Sequence, residues 1–196
     1  MLRASAAEDA LSVYEVFSEK LRELAPTHIV TQSQCEVCAV SLREVEGALR
    51  QLTESEAEII TLQPNTLADF WQDVVRVASG LGLTDGGVRL VADLQERMQE
   101  IATKARPLKS RPSVACVEWV DPLMAAGNWM PELVQMAGGE NLFGASGKHS
   151  PEMTFEQLAA AEPNIIFISP CGFDIPRTRD DLPLLESRPG WADLRA

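Results

Sequence analysis

The residues of this 196-residue chain best equipped for chemistry are its four cysteines, at 35, 38, 116 and 171, and one of its two histidines, His149. Cys35-Glu-Val-Cys38 has the two-residue spacing of a metal or redox pair. A zinc site needs two further ligands, however, and a redox pair usually opens a helix; packing within a loop is the competing reading. Four unevenly spaced cysteines do not make a disulfide framework in a chain of this length, so they are read as reduced thiols. His149 lies in Gly147-Lys-His-Ser-Pro151, a polar loop before a helix. A neutral imidazole there can ligate a metal or hydrogen-bond a ligand, and a solvent-facing histidine is the plainer alternative. Neither a Ser-His-Asp nor a Cys-His frame, a glycine-rich phosphate loop, nor a recognisable carboxylate pair is present, which argues against catalysis.

Binding has better support. Glu118-Trp-Val-Asp-Pro-Leu-Met-Ala-Ala-Gly-Asn-Trp129 places two tryptophans, a methionine and an asparagine on what reads as one long loop. A connector rarely carries so much large apolar surface, so this stretch reads as a ligand wall, with Asn128 as its oriented polar contact.

The elements that must position these residues alternate. Glu19–Leu24 and Leu42–Leu52 read as helices, Ile29–Thr31 and Ile59–Leu62 as strands, and such alternation predicts parallel βα units. Ser41 with Glu44 forms a capping-box pattern, leaving Cys35–Val40 as the loop before that helix. The apolar positions Leu67, Phe70, Trp71, Val74 and Ala78, a Gly80–Gly87 break, then Leu90, Leu94, Met98 and Ile101 predict two consecutive helices. Pro107 and Pro112 end the helical region; Val114, Cys116 and Val117 begin a new strand. A helix is expected near Glu132–Ala137, stopped by Gly138-Gly139. Thr154 with Gln157 caps another that runs to Ala161, and Ile165–Ile168 follows as a buried strand delivering Pro170-Cys-Gly-Phe173 at its end. Leu21–Val30 and Leu158–Phe167 echo each other as helix end, proline and strand, a weak internal repeat. The expected division is an α/β lobe over 1–65, a helical connector over 66–106 and a second α/β lobe over 107–196. In such sheets ligands bind beyond the carboxyl ends of strands.

The charge narrows the partners. With 29 acidic and 17 basic residues the net charge is −12, which repels a phosphate backbone and makes nucleic acid an unfavourable partner. The longest apolar runs are too short to cross a bilayer, and no basic-then-apolar leader opens the sequence as written.

Together, Cys35-Glu-Val-Cys-Ala-Val40, the Glu118–Trp129 stretch, Gly147-Lys-His-Ser-Pro151 and Pro170-Cys-Gly-Phe-Asp-Ile175 resemble the cobalamin-binding substrate-binding proteins of ABC transporters. These belong to the iron-siderophore and vitamin B12 binding superfamily, across which Ala137-Gly-Gly-Glu-Asn-Leu-Phe143 is shared more widely. The resemblance implies a class III periplasmic binding protein: two Rossmann-like lobes joined by a long helix, with a corrinoid held non-covalently in the cleft and little hinge motion. Gln32, Cys35, Trp119, Asn128, Trp129, His149, Cys171 and Phe173 are then expected to line the ligand, with His149 able to reach the cobalt. Glu44 and Glu156 are the acids expected to dock on arginines of the membrane permease, and a helix-start acid favoured by the dipole is the plainer reading of both. Relatives carry a further amino-terminal βα portion and a further carboxyl-terminal strand, turn and helix. The expectation is therefore that both lobes are incomplete, with sheet edges open to self-association. The resemblance implies a periplasmic or cell-surface location, while the missing leader leaves the cytoplasm open. The rivals are a haem or ferric-siderophore ligand, for which Lys148 and Arg177 are the loop cations, and a metal or thiol enzyme built from Cys35, Cys38, Cys171 and His149.

Overall fold

The computed structural model describes residues 17–32, 47 and 57–196. The helix expected over 42–52 (Gly47 apart), the loop 35–40 with Cys35 and Cys38, and Glu44 lie outside the described residues. The chain separates into two compact units: the described residues up to Pro64 with Ala68–Val91, and Asn65–Leu67 with Ala92–Ala196.

In the first unit, helix α1 (Ser18–Leu24) stops where Ala25 turns left-handed (φ 41°) and donates its N–H to the Leu21 carbonyl. Strands β1 (His28–Gln32) and β2 (Glu58–Leu62) pair in parallel, His28 opposite Glu58 through Gln32 opposite Leu62. Helix α2 (Leu67–Gly80) is tied to the end of β2 by Asp73, a buried carboxylate on an otherwise ordinary amphipathic helix. It accepts from the Gln63 N–H at 3.1 Å and pairs with Arg76, which also donates to the Thr61 carbonyl at 3.1 Å.

The glycines over 80–87 were expected to break the helical region throughout, and the structure corrects this. Only Leu81–Leu83 leave helical geometry, and α3 (Thr84–Ala105) takes in both Gly86 and Gly87. Gly87 is needed for packing rather than for a turn: a Cβ there would lie 2.4 Å from that of Ala78, so its absence lets α2 and α3 approach. At 22 residues α3 is about 33 Å long and carries the chain from one unit into the other.

The second unit is built on β3 (Ser113–Val120). β6 (Ile165–Ile168) pairs with it in parallel along one edge, Val114 opposite Ile165 through Val117 opposite Ile168. On the other edge lie β5 (Glu140–Asn141), parallel, and β4 (Leu123–Ala125), antiparallel. Alternation along β3 feeds two apolar layers. Ala115 and Val117 pack with Phe155 and Leu158 of helix α5 (Phe155–Ala160) and with Leu185. Val114 and Cys116 pack with Val134 of helix α4 (Met130–Met136). Helices α6 (Ile175–Asp181) and α7 (Pro183–Glu186) follow β6, and a 3-10 turn, Trp191–Asp193, sets Trp191 against Phe155 with ring centroids 6.4 Å apart.

Two further expectations are corrected. The stretch from Glu118 to Met130 is not one loop: β3 continues to Val120 and turns at Asp121-Pro122 into β4. Nor is β6 buried on both faces, since Ile166 and Ile168 join the core while Ile165 and Phe167 stay 45% and 49% exposed. The Thr154–Gln157 capping box forms as expected, with the Thr154 hydroxyl accepting from Gln157 N–H and the Gln157 side chain accepting in return from Thr154 N–H.

Candidate ligand-binding site

In the second unit the carboxyl ends of the parallel strands β3 and β6 are neighbours, so the segments leaving them meet. Cys171 N–H donates to the Glu118 carbonyl at 3.3 Å, which sets the turn after β6 beside the end of β3. That turn closes with Phe173 N–H on the Pro170 carbonyl at 3.2 Å, and the Asp174 side chain then caps α6 by accepting from Arg177 N–H at 2.8 Å. This brings the Phe173 ring to 5.2 Å from that of Trp119, tilted by 52°. The indole N–H of Trp119 donates to the Asp121 carbonyl at 3.0 Å, and the Arg177 guanidinium lies 4.7 Å over the Phe173 ring while pairing with Asp181 at 2.8 Å. Trp119, Phe173 and Arg177 thus form one stack, aromatic faces ending in a cation.

The next segment, 126–129, is held against 147–150. Asn128 adopts φ 51°, a left-handed backbone that asparagine tolerates better than most side chains, and this elbow delivers Trp129 to the start of α4. Asn128 N–H donates to the Lys148 carbonyl at 2.6 Å, and Gly147 N–H donates back to the Asn128 carbonyl at 3.0 Å. Glu132, in the first turn of α4, accepts from the Ser146 hydroxyl and from Leu67 N–H. His149 is exposed, and its Nδ1 lies 2.9 Å from the Ser150 carbonyl oxygen. A carbonyl only accepts, so Nδ1 carries the proton, and Nε2 is the nitrogen that holds the lone pair whenever the ring is neutral.

Of the residues expected at a site, the structure therefore joins Trp119 with Phe173, sets Cys171 beside Glu118, and links Asn128 to the loop of His149. Gln32 stands half-buried at the carboxyl end of β1 in the first unit. Glu156 lies exposed in the first turn of α5; its own backbone N–H, and after it the Thr154 hydroxyl, hold its carboxyl below the usual range. Burial pushes the Cys116 thiol up, while the Cys171 thiol is exposed. Among the described residues no group of three or more His, Cys, Asp or Glu side chains is gathered to hold a metal. Sequence reasoning did not single out Glu118 and Ser150, which prove to be bonded to each other across 32 positions; no local signal marks them.

Residues 9–196 match the family model described as periplasmic binding protein. Vitamin B12-binding protein of Vibrio cholerae serotype O1 is 25% identical over 122 residues, 62% of this chain and 44% of the relative, so the chain spans less than half the length of the curated relatives it matches. Among solved structures, a periplasmic solute-binding protein of Staphylococcus epidermidis superposes with a TM-score of 0.71 at 12% identity, covering 93% of this chain and 68% of that one. A periplasmic heme binding protein of Pseudomonas aeruginosa gives 0.66 at 21% identity, covering 93% and 64%. The periplasmic vitamin B12 binding protein of Vibrio cholerae gives 0.56 at 20%, covering 86% and 65%. With the parallel α/β units, the long helix and a family match over nearly its whole length, the chain belongs to the periplasmic binding protein family and has the class III fold of those binding proteins.

Proposed function

We propose that this chain captures a corrinoid of the vitamin B12 type for an ABC importer, as a periplasmic or cell-surface binding protein rather than an enzyme. The observation that carries this reading is the stack of Trp119, Phe173 and Arg177 at the joined ends of β3 and β6. A corrin is broad, flat and rimmed with amides, and an aromatic surface beside amide-bearing loops suits it. The identity with a vitamin B12-binding protein supports the same ligand. In this proposal Trp119, Trp129 and Phe173 supply apolar surface; Gln32, Cys35, Asn128 and Cys171 supply polar edges; the free Nε2 of His149 faces the cobalt. Glu156, held charged at its helix start, and Glu44 meet the permease. Residues 66–106 act as connector between lobes 1–65 and 107–196, and self-association through sheet edges is part of the same reading.

Haem is the second reading, because haem-binding proteins share the fold and Arg177 offers a cation for a propionate. Replacement of Phe173 by alanine separates the two readings from an unused stack. An aromatic anchor is worth about 2 kcal/mol or more, so corrinoid affinity should fall about thirtyfold or more while Phe173→Leu loses less. Equal affinities for wild type and Phe173→Ala would remove the stack from the site, and tighter haemin than cyanocobalamin binding would favour the second reading.

A further inference from the structure

We propose that Glu118 and Ser150 are a positioning pair that holds segment 126–128 against segment 147–150, fixing Asn128, Trp129 and His149 for the ligand without either of the pair touching it. The two segments run antiparallel: Met124 bridges to Glu152, Ala125 N–H donates to the Pro151 carbonyl at 2.9 Å, and the reciprocal bonds between Asn128 and the 147–148 turn follow. Between these backbone bonds, the N–H of buried Gly127 donates to a side chain, the Ser150 hydroxyl, at 3.1 Å. Ser150 is 4% exposed, and its hydroxyl donates in turn to Glu118 Oε2 at 2.6 Å.

The place of this link explains its need. Chain 123–126 leans on β3 through the ladder and through Ala126 N–H on the Cys116 carbonyl at 2.9 Å, and beyond Ala126 it departs. The Glu118 side chain, two residues further along β3, restores the tie through Ser150. Serine supplies what a backbone carbonyl cannot, an acceptor for Gly127 and a donor for Glu118 on one atom. Removing that atom leaves a buried N–H without an acceptor and a carboxylate without its donor at once. The approach is close, since a Cβ on Gly127 would lie 2.4 Å from the Lys148 carbonyl oxygen.

The role in ligand positioning rests on the corrinoid reading; the effect on the two segments does not. The test measures both, as amide hydrogen exchange of 124–130 and 147–152 without ligand and as cyanocobalamin affinity, in the full chain carrying Ser150→Ala, Ser150→Thr, Glu118→Ala or Glu118→Gln. Loss of one buried hydrogen bond corresponds to about a tenfold change. Ser150→Ala and Glu118→Ala should therefore exchange about tenfold faster in both segments and bind about tenfold more weakly. Glu118→Gln, whose carbonyl still accepts, and Ser150→Thr should recover both. Unchanged exchange in Ser150→Ala overturns the inference. So does a Glu118→Gln variant with wild-type exchange but weakened binding, which would place Glu118 against the ligand itself. If wild type binds neither corrinoid nor haemin the functional reading fails, and exchange alone decides whether the pair fixes the segments.

Discussion

Gly127→Ala tests whether the contact between segments 126–128 and 147–150 is as close as its geometry. The added carbon would lie 2.4 Å from the Lys148 carbonyl oxygen, 2.8 Å from Ser150 N and 2.9 Å from the His149 carbonyl carbon. All three are backbone atoms, so no rotamer change relieves the clash, and one segment must retreat by about 1 Å to reach ordinary contact. That retreat breaks the bonds from Asn128 N–H to Lys148 and from Gly127 N–H to Ser150, worth about 1 kcal/mol each, and adds about 1–3 kcal/mol of strain. Alanine restricts the unfolded chain by about 0.4–1 kcal/mol in the opposite direction. The net expectation is a loss of about 2–4 kcal/mol in urea unfolding followed by circular dichroism, with corrinoid affinity falling alongside. Gly86→Ala is the control of opposite sign: Gly86 lies within α3 with nothing inside 4 Å of its Cβ position, so alanine should stabilise by about 0.5–1 kcal/mol. A Gly127→Ala protein as stable as wild type would mean that the two segments are not in close backbone contact.

Asp73→Ala should cost the first unit about 1.5–3 kcal/mol, because Gln63 N–H loses a charged acceptor; the lower end applies since half-exposed Arg76 finds water. Thermal unfolding should show Asp73→Asn, which keeps an acceptor, losing less, and equal losses would argue against this account. Thr154→Ala removes a helix cap worth about 1 kcal/mol and one of the three groups that lower the Glu156 carboxyl, the others being its own backbone N–H and the Arg188 charge. In carbon-detected NMR titration Glu156 should therefore move up toward its ordinary value. Because its folded value is depressed, the stabilising contribution of Glu156 is present above the ordinary carboxylate range and is lost as pH falls through the folded value; an unmoved titration would assign the shift to the backbone N–H and Arg188. At neutral pH iodoacetamide should modify Cys171 and spare Cys116, which is buried and whose thiol burial pushes up, as peptide mass spectrometry would read. Equal rates would contradict the packing of β3.

Local signals were legible where local chemistry decides them. The Thr154–Gln157 capping box fixes the start of α5 through bonds three residues apart, and the apolar positions from Leu67 to Ala78 predict α2. The misreadings share a cause in tertiary contact. Gly86 and Gly87 read as a break, yet α3 runs through them because Gly87 packs on Ala78. β4 has three residues behind a proline turn and becomes a strand only because β3 lies alongside. Ile165 and Phe167 belong to an unbroken apolar run, but one face of β6 meets the core and the other does not. At the site, Trp119 and Phe173 stood out by residue type, whereas Glu118 and Ser150 are common residues whose role exists only in the bond between them. The antiparallel approach that creates it leaves no local pattern.

In the proposed function, the segments that follow β3 and β6 hold a corrinoid. Titration of the purified chain with cyanocobalamin and aquocobalamin, by calorimetry and visible absorbance with haemin alongside, tests it most directly. The expected result is saturable one-to-one corrinoid binding tighter than that of haemin, and a cobalt spectral change with aquocobalamin that His149→Ala abolishes. Tighter haemin binding, or no saturable corrinoid binding, would contradict it.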